Sequence, residues 1–349
     1  MLSRLLLKNL TVFSEAEFDF APGLNVVAGE NGAGKSHVLK AAYTIAAVLA
    51  RGEKESGSST PTKSYLETAI ARKLRGVFRP DELGRLARRQ AGRVRCEVGA
   101  EFSASGFPLA FSFNTTSKTE VVVAYVPDKW EKKPPVFLPT RELLTIYPGF
   151  VSLYDMTDLS FEETWRDTCI LLGAPLAKGA RLSEIKELLE PLEKQLGGTV
   201  VVDQERFYVK TRSGNLEAHL VAEGLRKLAM IARLIATGSL VGKGALFWDE
   251  PEANLNPKVI KKVARTILQL CKSGIQVFVA SHSLFLMREL DILLKNNEFR
   301  DVKTKFFGLH PSADGVTVQQ GETVDDVGTI DALQEELSQS DRYLGVETS

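Results

Sequence analysis

Two stretches carry the residue types and spacings best suited to chemistry. The first is Gly29-Glu30-Asn31-Gly32-Ala33-Gly34-Lys35-Ser36, with His37 next in the chain. It fits G-x-x-x-x-G-K-[ST], a turn whose backbone N–H groups face phosphate oxygens. The glycines allow the tight fold. Lys35 is expected to reach the β- and γ-phosphates of ATP, and the Ser36 hydroxyl to hold Mg²⁺. The positive dipole end of a helix starting near Lys35 adds to the attraction. The second stretch, Ala245-Leu246-Phe247-Trp248-Asp249-Glu250, is an apolar run ending in two acids. Asp249 is the second expected Mg²⁺ ligand, through water. Glu250 is placed to orient or deprotonate an attacking water.

These residues need strands and helices to hold them. Leu24–Ala28 reads as a strand before the glycine-rich turn. After it, Val38, Leu39, Ala42, Ile45, Ala46 and Leu49 recur at helical spacing. Ala245–Trp248 and Val277–Ala280 are short, wholly apolar runs, which suits central parallel strands. A helix is expected between them, from about Pro257 to Cys271. Residues 51–62 are polar and rich in turn formers, and read as a flexible loop. A basic helical stretch covers Tyr65 to Arg89. Val94–Phe102, Leu109–Phe113 and Glu120–Tyr125 read as an antiparallel set, and 141–195 as mostly helical. Thr199–Val202 and Arg206–Thr211 read as a strand pair, and Gly224 to Ile235 as a helix. The tail gives strands at Thr304–Leu309 and Gly315–Gln319 and a helix from about Ile330 to Gln339. No heptad pattern runs long enough for an extended coiled coil.

Further motifs bring a family resemblance. Pro251-Glu252-Ala253-Asn254-Leu255-Asn256-Pro257 resembles the D-loop of ABC ATPases, with Asn254 at its tip. Val277-Phe278-Val279-Ala280-Ser281-His282-Ser283 resembles the H-loop strand, with His282 as the switch histidine. The segment Val221 to Leu234 resembles the ABC signature and its helix. Gly224 stands for the second glycine of that signature, while Ala222 and Glu223 replace the serine and the first glycine. Val136-Phe137-Leu138-Pro139-Thr140-Arg141-Glu142 occupies the Q-loop position without a glutamine. There Thr140 or Glu142 takes the Mg²⁺-water role, or neither does; Arg141 and Glu142 read equally as a surface ion pair. The order Walker A, Q-loop-like, signature-like, Walker B, D-loop, H-loop spans residues 29–282. It separates the chain from RecA-like, AAA+ and small GTPase proteins.

The chain thus resembles the SMC, RecF and OLD-like ABC-type ATPases, in particular the compact prokaryotic "AAA family" proteins. The resemblance implies an α/β P-loop NTPase fold, an ABC-type head filling residues 1–349. A RecA-like lobe takes 1–50 and 240–310. An antiparallel β insertion takes 51–140, a helical and signature lobe 141–239, and a strand and helix 311–349. It also implies a head-to-tail homodimer around two ATP molecules. Lys35 and Ser36 act from one subunit, and Glu223 and Gly224 from the other. Glu250 and His282 then carry out hydrolysis. The implied role is a sensor or switch controlling a separate effector, a nuclease or toxin, in antiviral defence. The alternative is a RecF-like ATPase that binds duplex DNA for repair or recombination. OLD nucleases carry a Toprim domain after the ATPase, and residues 283–349 are too few for one, so an effector is expected on another chain. Asp325 and Asp326 read as a solvated turn.

Bulk composition narrows the classes. Of 349 residues, 44% are apolar, enough for a sizeable core. Lys+Arg and Asp+Glu both number 44, so no general field draws the chain to DNA or an anionic membrane. Any nucleic-acid contact needs a local patch. The candidate comprises Arg72, Lys73, Arg75, Arg79, Arg85, Arg88, Arg89, Arg93 and Arg95, opposed only by Asp81 and Glu82. Cys96, Cys169 and Cys271 are far apart and form no C-x-x-C pair, which fits buried thiols in a reducing cytosol. The N-terminus reads as a strand and not a signal peptide. The longest apolar stretch, Ala41 to Ala50, is about half what a membrane span needs. A cytoplasmic protein with no membrane contact is expected.

Overall fold

The computed structural model describes residues 1–90, 92–103, 109–179, 182–242, 244–330 and, in the tail, 335, 337–339 and 341–343. The chain opens with strands β1 (Leu2–Leu10), β2 (Phe13–Asp19) and β3 (Leu24–Gly29), then helices α1 (Lys35–Ser56) and α2 (Lys63–Phe78). Strands β4 (Arg95–Phe102), β5 (Leu109–Asn114), β6 (Val122–Tyr125) and β7 (Val136–Leu138) follow. Next come helices α3 (Tyr147–Met156), α4 (Glu163–Gly173) and α5 (Leu182–Leu196). After β8 (Gly198–Asp203), β9 (Arg206–Thr211) and β10 (Gly214–Glu217) come α6 (Glu223–Ala236), β11 (Ala245–Asp249), α7 (Pro257–Lys272), β12 (Gln276–Ser281) and α8 (Leu284–Leu294). Strands β13 (Thr304–Ser312) and β14 (Gly315–Gly321) close the described fold.

A six-stranded sheet of order β14-β13-β3-β12-β11-β7 is the middle layer. All its strands run parallel except β14, which pairs antiparallel with β13. Both faces are buried, and side chains alternate between them as strand geometry requires. Phe137, Phe247, Phe278 and Phe307 face α1 and the antiparallel sheet β2-β1-β4-β5-β6. Trp248, Leu246, Val277 and Val279 face the core that includes α6, α7 and α8. Phe247 and Phe278 stack across neighbouring strands with ring centroids 4.5 Å apart. The antiparallel sheet β10-β9-β8 lies against α5 and α6. This is the ABC-type α/β P-loop fold.

Several elements differ from the sequence expectation. Residues 51–56 are the last turns of α1, not a loop. Gly52 leaves room for the Trp130 ring, and Arg51 bonds Asp167 at 2.8 Å, so tertiary contacts carry the helix past its polar end. The basic helix stops at Phe78, because Arg79 turns to φ 55° and Pro80 follows. Leu83–Leu86 then forms a 3-10 turn. β10 and α8 carried no distinct sequence signal. The lobe expected over 1–50 and 240–310 shares its sheet with β7 and β14, and it gives β1 and β2 to the antiparallel sheet. The three residues of β7 are buried, so they need a covered position beside β11. The helix expected over Ile330 to Gln339 falls largely outside the described residues. All three cysteines are buried and free. No helix among the described residues is long and apolar enough to cross a membrane.

Candidate functional site

The phosphate-binding turn leaves β3, whose six residues are all buried between β13 and β12. Gly34 sits at φ 95° as the N-cap of α1, and no side chain caps that helix. A Cβ at Gly34 would lie 2.8 Å from the Phe13 ring, so glycine is required by both backbone and space. The first N–H groups of α1 precede the helical ladder and are available to an anion. Lys35 is buried, and its Nζ donates to the carbonyls of Gly29 at 2.9 Å and Glu30 at 3.0 Å. Burial lowers its pKa, against the pull of Glu250 and Asp249. His37 shares a 3.0 Å hydrogen bond with the Thr11 hydroxyl, and burial pushes its pKa down to about 4.

The two acids at the end of β11 meet this turn. Ser36 Oγ donates to Asp249 Oδ1 at 3.0 Å. Burial pushes Asp249 up to about 6, with the Ser36 hydrogen bond and Lys40 opposing. A hydroxyl and a carboxylate so placed are hard oxygen donors, and a divalent cation would offset the buried charge. The pair therefore fits Mg²⁺, which takes few protein ligands and keeps water. No group of three or more His, Cys, Asp or Glu that could hold a metal exists among the described residues. Glu250 turns to φ 46°, its N–H bonded to the Ala280 carbonyl at 2.9 Å. Its carboxylate meets His282 Nδ1 at 3.0 Å. Asp249, Glu250 and His282, far apart in sequence from Lys35 and Ser36, thus converge at one edge of the central sheet.

The D-loop and signature segments also meet within the chain. Asn254, at φ 61°, donates from Nδ2 to Glu223 Oε1 at 3.1 Å. A Cβ on Gly224 would lie 3.0 Å from Leu255 Cδ2, so glycine lets α6 approach the loop closely. In the Q-loop position, Glu142 is not a free surface acid. It is buried, paired with Arg226 Nε at 2.7 Å, and accepts from the Leu144 N–H and the Thr145 hydroxyl. Thr140 is partly buried just past β7.

Other residues join the site through contacts that the sequence did not indicate. Glu252 is buried, and its Oε1 accepts from Ser281 Oγ at 2.6 Å and from the His282 N–H at 3.3 Å, so it fixes the H-loop. Burial raises its pKa, while those hydrogen bonds act the other way. Lys40 pairs with Glu162 at 2.5 Å, joining α1 to the start of α4. A cavity of about 540 Å³ opens beside Gly32, lined among others by Thr11, Arg85, Arg88, Arg89 and Ser312.

The basic run is not one patch of nine free cations. Lys73 is buried and bonded to Glu163 and Asp167. Arg72 pairs with Glu55, Arg79 with Asp158 and Arg95 with Glu97. Arg85, Arg88 and Arg89 face the cavity beside the phosphate turn. Folding interleaves these cations with acids from α1, α4 and the loops, which a linear charge count cannot show.

Comparison with known proteins agrees with this geometry. Residues 24–288 match the family described as "AAA domain, putative AbiEii toxin, Type IV TA system". No curated protein matches the chain. Among solved structures, the SMC head domain from Thermotoga maritima is similar at TM-score 0.51 and 13% identity, covering 92% of this chain and 99% of that one. An Smc head bound to the C-terminal winged-helix domain of ScpA is similar at TM-score 0.55 and 13% identity, covering 93% and 98%. An Smc head with an extended coiled coil, bound to the C-terminal domain of ScpA derived from Pyrococcus furiosus, is similar at 0.55 and 10%, covering 100% and 99%. Those likenesses establish a shared fold. With three quarters of the chain matched, this chain belongs to that AAA-domain family, and it shares the ABC-type P-loop fold of the SMC heads.

Proposed function

We propose that the chain binds and hydrolyses ATP as an ATP-held homodimer and works as a switch for a separate effector in antiviral defence. The observation that carries hydrolysis is Glu250, one residue past Asp249, turned so that its carboxylate meets His282 Nδ1 at 3.0 Å. Lys35 and the first turn of α1 bind the β- and γ-phosphates. Glu250 accepts a proton from the attacking water, and His282 orients the Glu250 carboxylate. Ser36 and Asp249 would hold Mg²⁺, which would supply charge stabilisation for the transferring phosphoryl group. The cavity lined by Arg85, Arg88 and Arg89 receives the nucleoside end. Gly224, at the first turn of α6, meets the γ-phosphate held by the other subunit, as the resemblance implies. Three buried free thiols suit a reducing cytoplasm.

The family description, with its toxin wording, supports an effector role, and so do the Smc heads seen with domains of another protein. The deciding measurement is ATP hydrolysis by the purified chain, with and without duplex DNA, beside Lys35→Ala and Glu250→Gln. Slow turnover indifferent to DNA supports the switch. Strong stimulation by DNA, lost in both variants, moves the reading to a RecF-like clamp. Equal hydrolysis by wild type and Glu250→Gln removes the catalytic assignment. Phage plating on cells carrying the gene and its neighbours, with and without Lys35→Ala, tests the defence role. Unchanged plating would remove it.

A further inference from the structure

The segment from Glu250 to Leu255 is two successive turns. Ala253 N–H bonds the Glu250 carbonyl at 3.1 Å, and Leu255 N–H bonds the Glu252 carbonyl at 3.0 Å. Two of its residues, Glu250 at φ 46° and Asn254 at φ 61°, sit in the left-handed region without being glycine. Such backbone persists only where its surroundings over-determine it. The carbonyl of Ala253, where the two turns overlap, accepts from Lys227 Nζ at 2.6 Å.

Lys227 lies on α6 and is 0% exposed. No carboxylate stands within ion-pair distance of it among the described residues. Burying an ammonium without a counter-ion is costly, and a methionine would fill the same space without that cost. Fold stability therefore does not explain a lysine here. Its charge is felt instead at Glu223, Glu252 and Glu250, the acids of the surrounding loop and helix start. The Asn254–Glu223 bond and the close approach of Gly224 to Leu255 join the same two elements.

We propose that Lys227 is a positioning residue for Glu250. Its ammonium, on the Ala253 carbonyl, holds the double turn in the shape that aims the Glu250 carboxylate at His282. It also fastens that turn to the first turns of α6, so whatever seats the start of α6 seats Glu250 with it. This rests on the hydrolytic reading above.

The test uses the full chain with Lys227→Met, Lys227→Gln and Glu250→Gln. Four quantities are read: thermal midpoint, kcat and KM for ATP, and hydrogen exchange of residues 250–256 against 260–271. Lys227→Met is expected to melt at or above the wild-type temperature, because the buried charge is gone. Its KM should stay within about twofold while kcat falls about tenfold or more. Exchange in 250–256 should speed up about tenfold while 260–271 is unchanged. Lys227→Gln, which keeps an N–H donor, should recover part of kcat. Wild-type kcat together with unchanged exchange in Lys227→Met overturns the proposal. A large fall in melting temperature in both variants also overturns it, by making Lys227 a fold residue. If wild type and Glu250→Gln hydrolyse equally, the hydrolytic reading fails. Exchange then decides alone: faster loop exchange in Lys227→Met supports the hold on the loop, and unchanged exchange overturns it.

Discussion

At the scale of single residues, the site depends on a few backbone and side-chain placements. Glu250 and His282 meet only because Glu250 adopts φ 46° after a regular strand. Replacing Glu250 by glutamine keeps the shape and removes the proposed proton acceptor. ATP turnover is expected to fall about 100-fold or more, with nucleotide affinity retained. Steady-state hydrolysis beside equilibrium binding of a fluorescent ATP analogue checks both halves. Gly34 is the second such residue. An alanine there must take φ 95° and push against Phe13 and Val12. The left-handed backbone alone costs about 1–2 kcal/mol. Gly34→Ala should therefore lower unfolding free energy by at least that much, and weaken ATP binding too. Urea unfolding with and without nucleotide measures the two effects separately.

At the scale of elements, α1 carries both Lys35 and Ser36 and must be held in register with the helical lobe. Its far end is tied to α4 through Asp167. That carboxylate accepts from Tyr43 at 2.5 Å and Arg51 at 2.8 Å, and bonds Lys73. Burial works to raise the pKa of Asp167, but Lys73 and Arg51 outweigh it and hold the value below the ordinary 3.8. Asp167→Asn leaves Lys73 with Glu163 alone, and breaking a buried pair in this way costs about 3–5 kcal/mol. The pH dependence follows from the sign of the shift. The unfolded carboxylate takes up its proton first as pH falls, so the stabilisation is complete above about pH 4. It is lost as pH drops through the folded-state value. The stability gap between wild type and Asp167→Asn should be flat from pH 5 to 8 and narrow in acid. Denaturant unfolding at several pH values measures it. A gap that widens in acid would contradict this account.

At the scale of the whole molecule, the central sheet brings three distant stretches together, and the start of α6 packs against the turn that follows β11. The carboxylate of Glu223 is tied back to Asn254 of its own chain. In the proposed ATP-held dimer, that negative charge would face the γ-phosphate of the partner's nucleotide. Glu223→Gln keeps an acceptor for Asn254 and removes that charge. In a Glu250→Gln background with ATP, it should tighten dimerisation several-fold, about fivefold for a difference near 1 kcal/mol. Sedimentation velocity across a concentration series reads this directly, and Lys35→Ala should stay monomeric with ATP. A dimer weakened by Glu223→Gln would place that carboxylate in an attractive contact.

How much of this was legible differs from residue to residue. The turn from Gly29 to Ser36, the acids Asp249 and Glu250, and the strand ending at His282 were readable, because each motif sits in a contiguous run. Phosphate turns and buried parallel strands are local in sequence. Helix α7 was likewise readable from Pro257 and its apolar spacing, and Asn256 caps it at 3.1 Å. The end of α1 was not readable, because Gly52 against Trp130 overrules the turn-forming composition of 51–56. Glu142 read either as a stand-in for the Q-loop glutamine or as half of a surface ion pair with Arg141, yet folding pairs it with Arg226 on α6. The basic run looked like one patch, yet acids from elsewhere divide it. Sequence by itself determined the fold family and singled out the groups proposed to react, since these rest on residue type and local spacing. Tertiary structure alone decided which charges stay free, which acid fixes the H-loop, and that a buried Lys227 grips the D-loop, because burial and long-range pairing are properties of the packed chain.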